Sequence, residues 1–332
     1  MAIADDNARF AAIFARLKLR HLRLIDAIAD AQSISAAAAR LHITQPAVSK
    51  ALREAEEILG IRLFERGPNG LALTPYGRTV VAHSKVIQSE IRHVSDEISA
   101  LNSGTSGLVT VGALLVSLPR LLPNAVRLLR ERRVAASVRV VEGDQEALLA
   151  QLRNGDIDMV VGRLSPLEKG QRLRQEVLLY EQILVVAGAG HRLARKLQVD
   201  YQDLAEASWI FPPPTSVVHA SVMQLFTQHG LAKPNDTIET TAYLMARTLM
   251  IENGMVSALP LSVIERDVNS GDLSILNVRF PQEPLAVGMT TAMDRRLPSV
   301  AVHMMQCLRD AAKLQDTRAP SKKRNLTGPS PR

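Results

Sequence analysis

The stretch His42–Glu56, HITQPAVSKALREAE, decides how the first part of this chain folds. Val48, Ala51, Leu52 and Ala55 recur at helical spacing on one side, and Ser49, Lys50 and Arg53 occupy the other. Pro46 does not argue against a helix. It falls in the first turn, where its missing N–H has no intrahelical partner to lose. Thr44 stands where a hydroxyl can cap the free backbone N–H groups, and Gly60 is a natural stop. The apolar side needs a core. The polar side is either a solvated face or a contact surface, and the flanking sequence has to separate the two.

Upstream, Leu19, Leu22, Ile25 and Ala29 predict a first helix from about Lys18 to Asp30. SISAAAARL then predicts a second helix, capped by Ser33 or Ser35, with alanines that let a neighbour approach closely. The intervening HIT has room only for a tight turn. Two short helices so joined form a helix-turn-helix, about 34–53. Downstream, RLFERGPNGLALT reads as two short strands with Gly67, Pro68, Asn69 and Gly70 at the tip, which is a wing. The expected head, residues 17–74, is an all-α winged helix-turn-helix. In such a module the start of the second helix of the pair enters the major groove. Gln45, Ser49 and Lys50 project from that start, so the contact-surface reading displaces the solvated face.

A long helix follows over 75–103. Thr74-Pro75 repeats the device of a capping threonine with a proline at the first helical position. Ile87, Ile91, Val94, Ile98 and Leu101 then mark an a/d seam. A buried helix of one domain and a dimerising linker both fit this pattern. Its place between a DNA head and a second domain favours the linker. NSGTSG, residues 102–107, has the composition of a hinge.

The second half alternates strand and helix. LVTVGALL, a helix from about Pro119 to Arg132, SVRVVEG, DQEALLAQLRNG and DMVVGRL form βαβαβ, hence α/β with a parallel sheet. A second alternation runs from QILVVAG through WIF, TIETT and MVSALP. PLAVGMTTAM and a helix from about Pro298 to Leu314 close it. Open α/β sheets bind ligands at the carboxyl ends of their strands. Those ends carry Ser117, Glu142, Arg163, Thr215, Ser216, Thr240 and Thr241. Ser117 and Thr215–Ser216 stand just before helix starts, which favours an anion. Arg163, a cation one residue past a strand end, points the same way, to an effector such as a carboxylate. The competing reading makes the hydroxyls helix caps and Arg163 the partner of a local acid.

From Leu22 to Gly77 the chain resembles the DNA-binding head of the LysR-type transcriptional regulators, most of all in AAAARLHITQPAVSKALREAE and LFER…LTPYG. The resemblance implies that Gln45, Pro46, Ser49 and Lys50 approach DNA, as does the wing residue Arg66. Ser35 and Arg53 complete the DNA-facing set. The family more often has arginine where Lys50 stands. A lysine is a point charge that cannot make a bidentate fork, so Lys50 is assigned to phosphate. The resemblance also implies an effector-binding domain over 107–315 with two lobes, lobe I 107–178 and 284–315 and lobe II 179–283, that resemble periplasmic ligand-binding proteins. A small effector, an organic acid or sugar, would lie between the lobes. VVGRL and the proline-threonine-serine loop are similar to the branch that includes regulators of protocatechuate catabolism and of a galactose-binding protein. Implied partners are a double-stranded DNA operator, a second copy in a homodimer and homotetramer, the effector, and RNA polymerase.

The totals agree with this reading. The 332 residues are too many for one core, and 46% hydrophobic with 3% aromatic content means aliphatic cores. The formal charge of +7 does not by itself indicate nucleic acid, because most of the excess lies in 316–332, a proline-rich basic tail expected to be disordered. The single cysteine, Cys307, fits a reducing compartment and reads as a core residue. MAIADDNARF is unlike a secretory signal and no uninterrupted apolar span is present, so a cytoplasmic protein with no membrane contact is expected. Enzyme readings fail: G-x-x-x-x-G-K-[ST], H-E-x-x-H and G-x-S-x-G are absent, and Gly188-Ala189-Gly190 lacks its third glycine. The histidines show no ligand spacing with Cys307, so neither metal nor cofactor is expected. The alternative function is a ligand-binding α/β module whose head serves protein interaction.

Overall fold

The computed structural model describes residues 11, 13–67, 70–103, 107–167, 172–278, 283–293 and 295–316. Two compact units divide the chain. The wing tip Pro68–Asn69, residues 104–106 of the expected hinge, the side chain of Leu101 and the tail from 317 on lie outside the described residues.

The first unit contains the head. α1 (Leu19–Ala31), α2 (Ile34–Leu41) and α3 (Gln45–Leu59) are followed by β1 (Phe64–Gly67) and β2 (Gly70–Leu73), paired antiparallel from Phe64↔Leu73 to Gly67↔Gly70. Leu24, Ile25, Ile28, Ala37, Ala38, Val48, Ala55, Leu63, Phe64 and Val81 form its core. Each large aliphatic side chain so buried contributes about 1.5–3 kcal/mol. Ala37 and Ala38 are the small residues that let α2 close on its neighbours. The core stripe of α1 differs from the expected one. Leu19 is 56% exposed, and the fully buried His21 takes the inward position, followed by Leu24, Ile25 and Ile28. His21 Nδ1 accepts from the Lys18 N–H at 3.3 Å, which closes the first turn, and burial holds its pKa below the ordinary value.

Local signals set the helix ends. Ser33, not Ser35, caps α2 by accepting from the Ala36 N–H at 3.4 Å. His42 leaves that helix in the left-handed region, at φ 56°, and Gly60 does the same for α3, at φ 69°. α4 (Pro75–Ser103) begins as expected: the Gly77 N–H donates to Thr74 Oγ1 at 3.0 Å. At Gly77 a Cβ would stand 2.1 Å from the Leu63 carbonyl oxygen, so only glycine lets α4 lie this close to β1.

The second unit contains two mixed sheets. The first takes β3 (Gly107–Ala113), β4 (Ala136–Glu142), β5 (Met159–Arg163), β6 (Leu173–Glu181) and, from far along the chain, β12 (Leu285–Ala292), in the order β4-β3-β5-β12-β6. The second takes β7 (Ile183–Gly188), β8 (Trp209–Phe211), β9 (Thr237–Glu239), β10 (Val256–Pro260) and β11 (Leu273–Ile275), in the order β11-β7-β10-β8-β9. β3 and β5 are parallel, as are β8, β9 and β10 in their pairings, but β12 runs antiparallel to both β5 and β6, and β7 to both β10 and β11. The parallel arrangement expected of the βαβαβ run is seen where β3 pairs with β5, and the antiparallel partners are β7 and β12, strands that cross between the lobes and return against the local direction. The expected first crossover at 178 moves: β6 remains in the first sheet to Glu181, and Gln182 is the only residue before β7.

α5 (Leu121–Glu131) and α11 (Ser299–Asp316) pack over the first sheet around Val109, Val111, Met159, Val161, Met304 and Leu308. Cys307 is fully buried in this cluster, and burial pushes its thiol pKa up. The second lobe closes on Trp209, which is fully buried, donates Nε1–H to the Leu204 carbonyl at 2.6 Å and stacks on Phe211. The remaining helices are α6 (Gln145–Asn154), α7 (Tyr201–Ala205), α8 (Val217–Gln228), α9 (Tyr243–Glu252) and α10 (Leu261–Ser270). Among the described residues no helix is long and apolar enough to cross a membrane.

Candidate nucleic-acid interface and effector site

At the start of α3, Gln45, Pro46, Lys50 and Arg53 are exposed and Ser49 is half-buried; Arg66 is exposed on β1. Among the described residues none of these polar side chains bonds to another part of the protein. Ser35, exposed on α2, shares a hydroxyl–hydroxyl contact with Ser33 at 3.0 Å. No acidic residue occurs between Asp30 and Glu54, so this end of the helix pair carries cations only. The other end of α3 is committed to structure. Buried Glu56 accepts from the Leu63 N–H at 2.8 Å and from Arg62 at 3.0 Å, tying the helix to the wing. The wing in turn docks on α1: the Leu71 N–H donates to the Gln32 carbonyl at 2.9 Å, and at Gly70 a Cβ would stand 2.6 Å from that oxygen. This arrangement presents the polar start of one helix and the edge of a small wing, held at a fixed angle, to a second molecule.

One expectation about this end is corrected. Thr44 is in the capping position, but its hydroxyl makes no cap bond; only its carbonyl accepts, from the Val48 N–H at 3.1 Å. Among the described residues the hydroxyl of Thr44 therefore bonds to nothing, and like Gln45 it is exposed.

α4 carries two faces. Val81, Ser84, Lys85 and Gln88 turn to the head, with Val81 in its core. Ile87, Ile91, Val94 and Ile98 are 41%, 44%, 56% and 54% exposed, and they fall roughly 100° around the helix from the head-facing set. Four aliphatic side chains at a/d spacing thus stand in solvent in the single chain.

In the second unit, neighbouring strands bring the expected lobe I residues to one edge of the sheet. β3 leads into the turn Leu115–Ser117, beside β5, which ends at Arg163. Arg163 is the last residue of the strand rather than one beyond it. It is half-buried, and its Nη2 donates to Gln145 Oε1 at 3.1 Å. The same oxygen accepts from Ser165 at 3.2 Å. Burial pulls the guanidinium pKa below its ordinary value, and among the described residues no carboxylate pairs with it. This differs from Arg309, which forks onto Glu176 at 2.7 and 2.9 Å, and from Arg247, which meets Asp267 and Asp272. The local-acid reading of Arg163 is thus not what the geometry gives. Glu142 is exposed at the end of β4. Ser117 is fully buried, and its Oγ donates to the Leu114 carbonyl at 2.8 Å. It does not stand before a helix start as expected, because α5 begins only at Leu121, after Arg120.

In lobe II the parallel pair β8 and β9 places the other set at one end of its sheet. Ser216 caps α8, accepting from the Val218 N–H at 3.2 Å, while Thr215 and Thr241 are exposed. Thr240 accepts from the Ala242 N–H at 3.0 Å. Sequence reasoning missed what joins the lobes. Buried Glu181 accepts from the Ser262 N–H at 2.9 Å, Ser262 Oγ meets the Val116 carbonyl at 3.3 Å, and Arg120 pairs with Glu265. Leu115 packs into the core of lobe II. Gln145 and Ser165 were missed too; the one local signal for Gln145 is Asp144, whose Oδ1 accepts from the Ala147 N–H at 2.9 Å and starts α6.

A winged helix-turn-helix on a long helix, joined to two α/β lobes, defines a ligand-responsive DNA-binding regulator. The chain belongs to the LysR family: residues 19–78 match the bacterial regulatory helix-turn-helix protein of the lysR family, and residues 102–313 match the LysR substrate binding domain. It is a LysR-type transcriptional regulator and not an enzyme. It is similar to the HTH-type transcriptional regulator PcaQ of Agrobacterium fabrum, 32% identical over 298 residues, which are 90% of this chain and 96% of that one. It is also similar to GbpR of Azospirillum brasilense, 30% identical over 310 residues, 92% of this chain and 90% of that one. Among solved structures, full-length CbnR complexed with its target DNA superposes with a TM-score of 0.60 at 20% identity, covering 89% of this chain and 100% of that one, a likeness of fold.

Proposed function

We propose that this regulator acts in the cytoplasm as a homodimer, or a pair of dimers, that reads a two-fold operator and answers to a small anionic effector. The observation that carries the dimer is the exposed seam on α4, Ile87, Ile91, Val94 and Ile98, which a second copy of the same helix would cover. Gln45 and Ser49 read base edges, Pro46 packs beside them, and Lys50, Arg53, Arg66 and Ser35 hold phosphates. The exposure of Gln45, Lys50, Arg53 and Arg66, their lack of partners among the described residues, and the acid-free stretch between Asp30 and Glu54 support this division. Arg163 meets the acid group of the effector, and Glu142, Thr215, Ser216 and Thr241 supply polar partners, whereas Ser117, buried and bonded to the Leu114 carbonyl, shapes the turn beside them. The half-buried guanidinium, without a counter-ion among the described residues, supports an anion. A ligand touching both lobes biases their closure through its different affinity for the two states, and RNA polymerase is the natural receiver of that change.

Ile91→Asp tests the assembly. A carboxylate at the seam would be unpaired once covered, a loss of several kcal/mol. Sedimentation of the full chain should show smaller particles and gel shifts should show weaker operator binding, with helix content unchanged. The same assembly for variant and wild type would remove α4 as the dimer contact.

A further inference from the structure

Asp26 lies on α1 between Ile25 and Ala27, within the core stripe, and is 9% exposed. Its Oδ2 accepts from Ser84 Oγ at 2.8 Å and from Gln88 Nε2, both on α4. Gln88 Nε2 also reaches Ser84 Oγ at 3.2 Å, and Ser84 itself is fully buried. Oδ1 is enclosed and has no partner among the described residues. Burial raises the carboxyl pKa against the opposing effect of these donors. A second tie one turn further on is of another kind. Asp30 meets Arg40 of α2 at 3.1 Å and Lys85 of α4 at 3.8 Å, with its side chain 40% exposed. Exposed pairs of that sort hold geometry weakly.

An acid in the apolar stripe of a small head is a poor choice for stability alone. An aliphatic side chain would fill the place without an unpartnered oxygen. What buried hydrogen bonds add is direction. Apolar faces slide on each other at little cost, whereas Asp26 meets both donors at one setting of the two helices. The setting matters because of where it lies. Gln88 is adjacent in sequence to Ile87, the first residue of the exposed seam. The head is therefore pinned to α4 at the turn where the partner contact begins. A head of this size is on the order of 20 Å across, so a tilt of about 10° there carries its far side roughly 3.5 Å. That is about one base-pair step along DNA.

We propose that Asp26, Ser84 and Gln88 form a buried joint that fixes the angle of the DNA-binding head on α4, and so sets the spacing between the two half-sites the dimer accepts. They are positioning residues that touch no DNA, and the inference rests on the dimer reading above.

The full chain is used to select from a pool of fully randomised duplexes, as wild type, as Ser84→Ala/Gln88→Leu and as Asp26→Asn. Wild type should return paired half-sites at one dominant spacing. The double variant should return the same half-site bases, but the preference for the dominant spacing over its neighbours should fall roughly tenfold. Asp26→Asn keeps an acceptor oxygen for both donors and should keep the wild-type spacing. Circular dichroism establishes that each variant is folded, and Gln88→Leu alone replaces the double variant if that one is not. An unchanged spacing distribution in the folded variants overturns the joint. So does a change in the half-site bases, which would make the cluster part of the head's own fold. Single half-sites selected by the wild type would overturn the dimer reading and the joint with it, whereas paired half-sites with insensitive spacing overturn the joint alone.

Discussion

Thr44 and Thr74 stand before the recognition helix and the linker helix, each with a proline within two residues, and the fold treats them differently. Thr74 is buried; its hydroxyl donates to the Arg62 carbonyl at 2.8 Å and accepts from the Gly77 N–H at 3.0 Å. Thr44 is exposed and its hydroxyl bonds to nothing described. The same contrast separates Arg309, forked onto Glu176, from Arg163, which is half-buried, meets an amide and has no acid beside it among the described residues. Polar groups bonded within the chain hold its shape. Those that the fold positions but leaves unsatisfied are the ones available to a second molecule.

The comparison can be broken most readily at Arg163. Arg163→Met removes a cation that no described acid partners, so the thermal midpoint of the free protein should stay level or rise. Titration with acetate, succinate and benzoate should show whichever binds the wild type lose ~1.5–3 kcal/mol, roughly tenfold or more in affinity. A lowered midpoint with unchanged binding would make Arg163 a structural residue. Next in size, Gln45→Ala should relax one base position by ~1–3 kcal/mol in selection from randomised operators, since a glutamine can read adenine with two bonds. An unaltered base profile would return Gln45 to the solvated face. The two threonines sharpen the comparison further. Thr74→Val removes a cap and a buried donor and should cost about 1–2 kcal/mol in denaturant unfolding, whereas Thr44→Val should stay within about 0.5 kcal/mol. Equal losses would contradict the division drawn here. The smallest effect is expected from Lys50→Ala, which should weaken binding evenly across sequences and lower the slope of log K against log salt by about 1. A variant that changed base preference at constant slope would show Lys50 reading bases.

The head was legible because its signals are local. Helical spacing, Ser33, Pro46, Gly60 and Thr74-Pro75 each act within a few residues of themselves, and the wing follows from a glycine-bounded tip. The lobes were legible as alternating strands and helices, but β6 and β11 were not foreseen. β6, LRQEVLLYE, is an edge strand that carries charges, and β11 has three residues, too few for a period to show. Leu19 was misplaced because a stripe read from apolar residues alone cannot show that His21 fills the inward position.

By itself, then, the sequence determined which segments become helices and strands, where the recognition helix starts, and which residues make its polar side and the apolar seam of α4. These follow from backbone sterics, capping and periodicity, all short-range. Tertiary structure decided the direction of the crossing strands, the commitment of Ser117 to its own turn, the isolation of Arg163 from any described acid, and the meeting of Asp26 with Ser84 and Gln88. The crossing strands and the Asp26 cluster depend on residues tens of positions apart being brought within hydrogen-bond reach, 58 apart for Asp26 and Ser84, and no local pattern encodes that distance. Ser117 reaches back only to Leu114, and it is the burial of that turn that needs the rest of the fold.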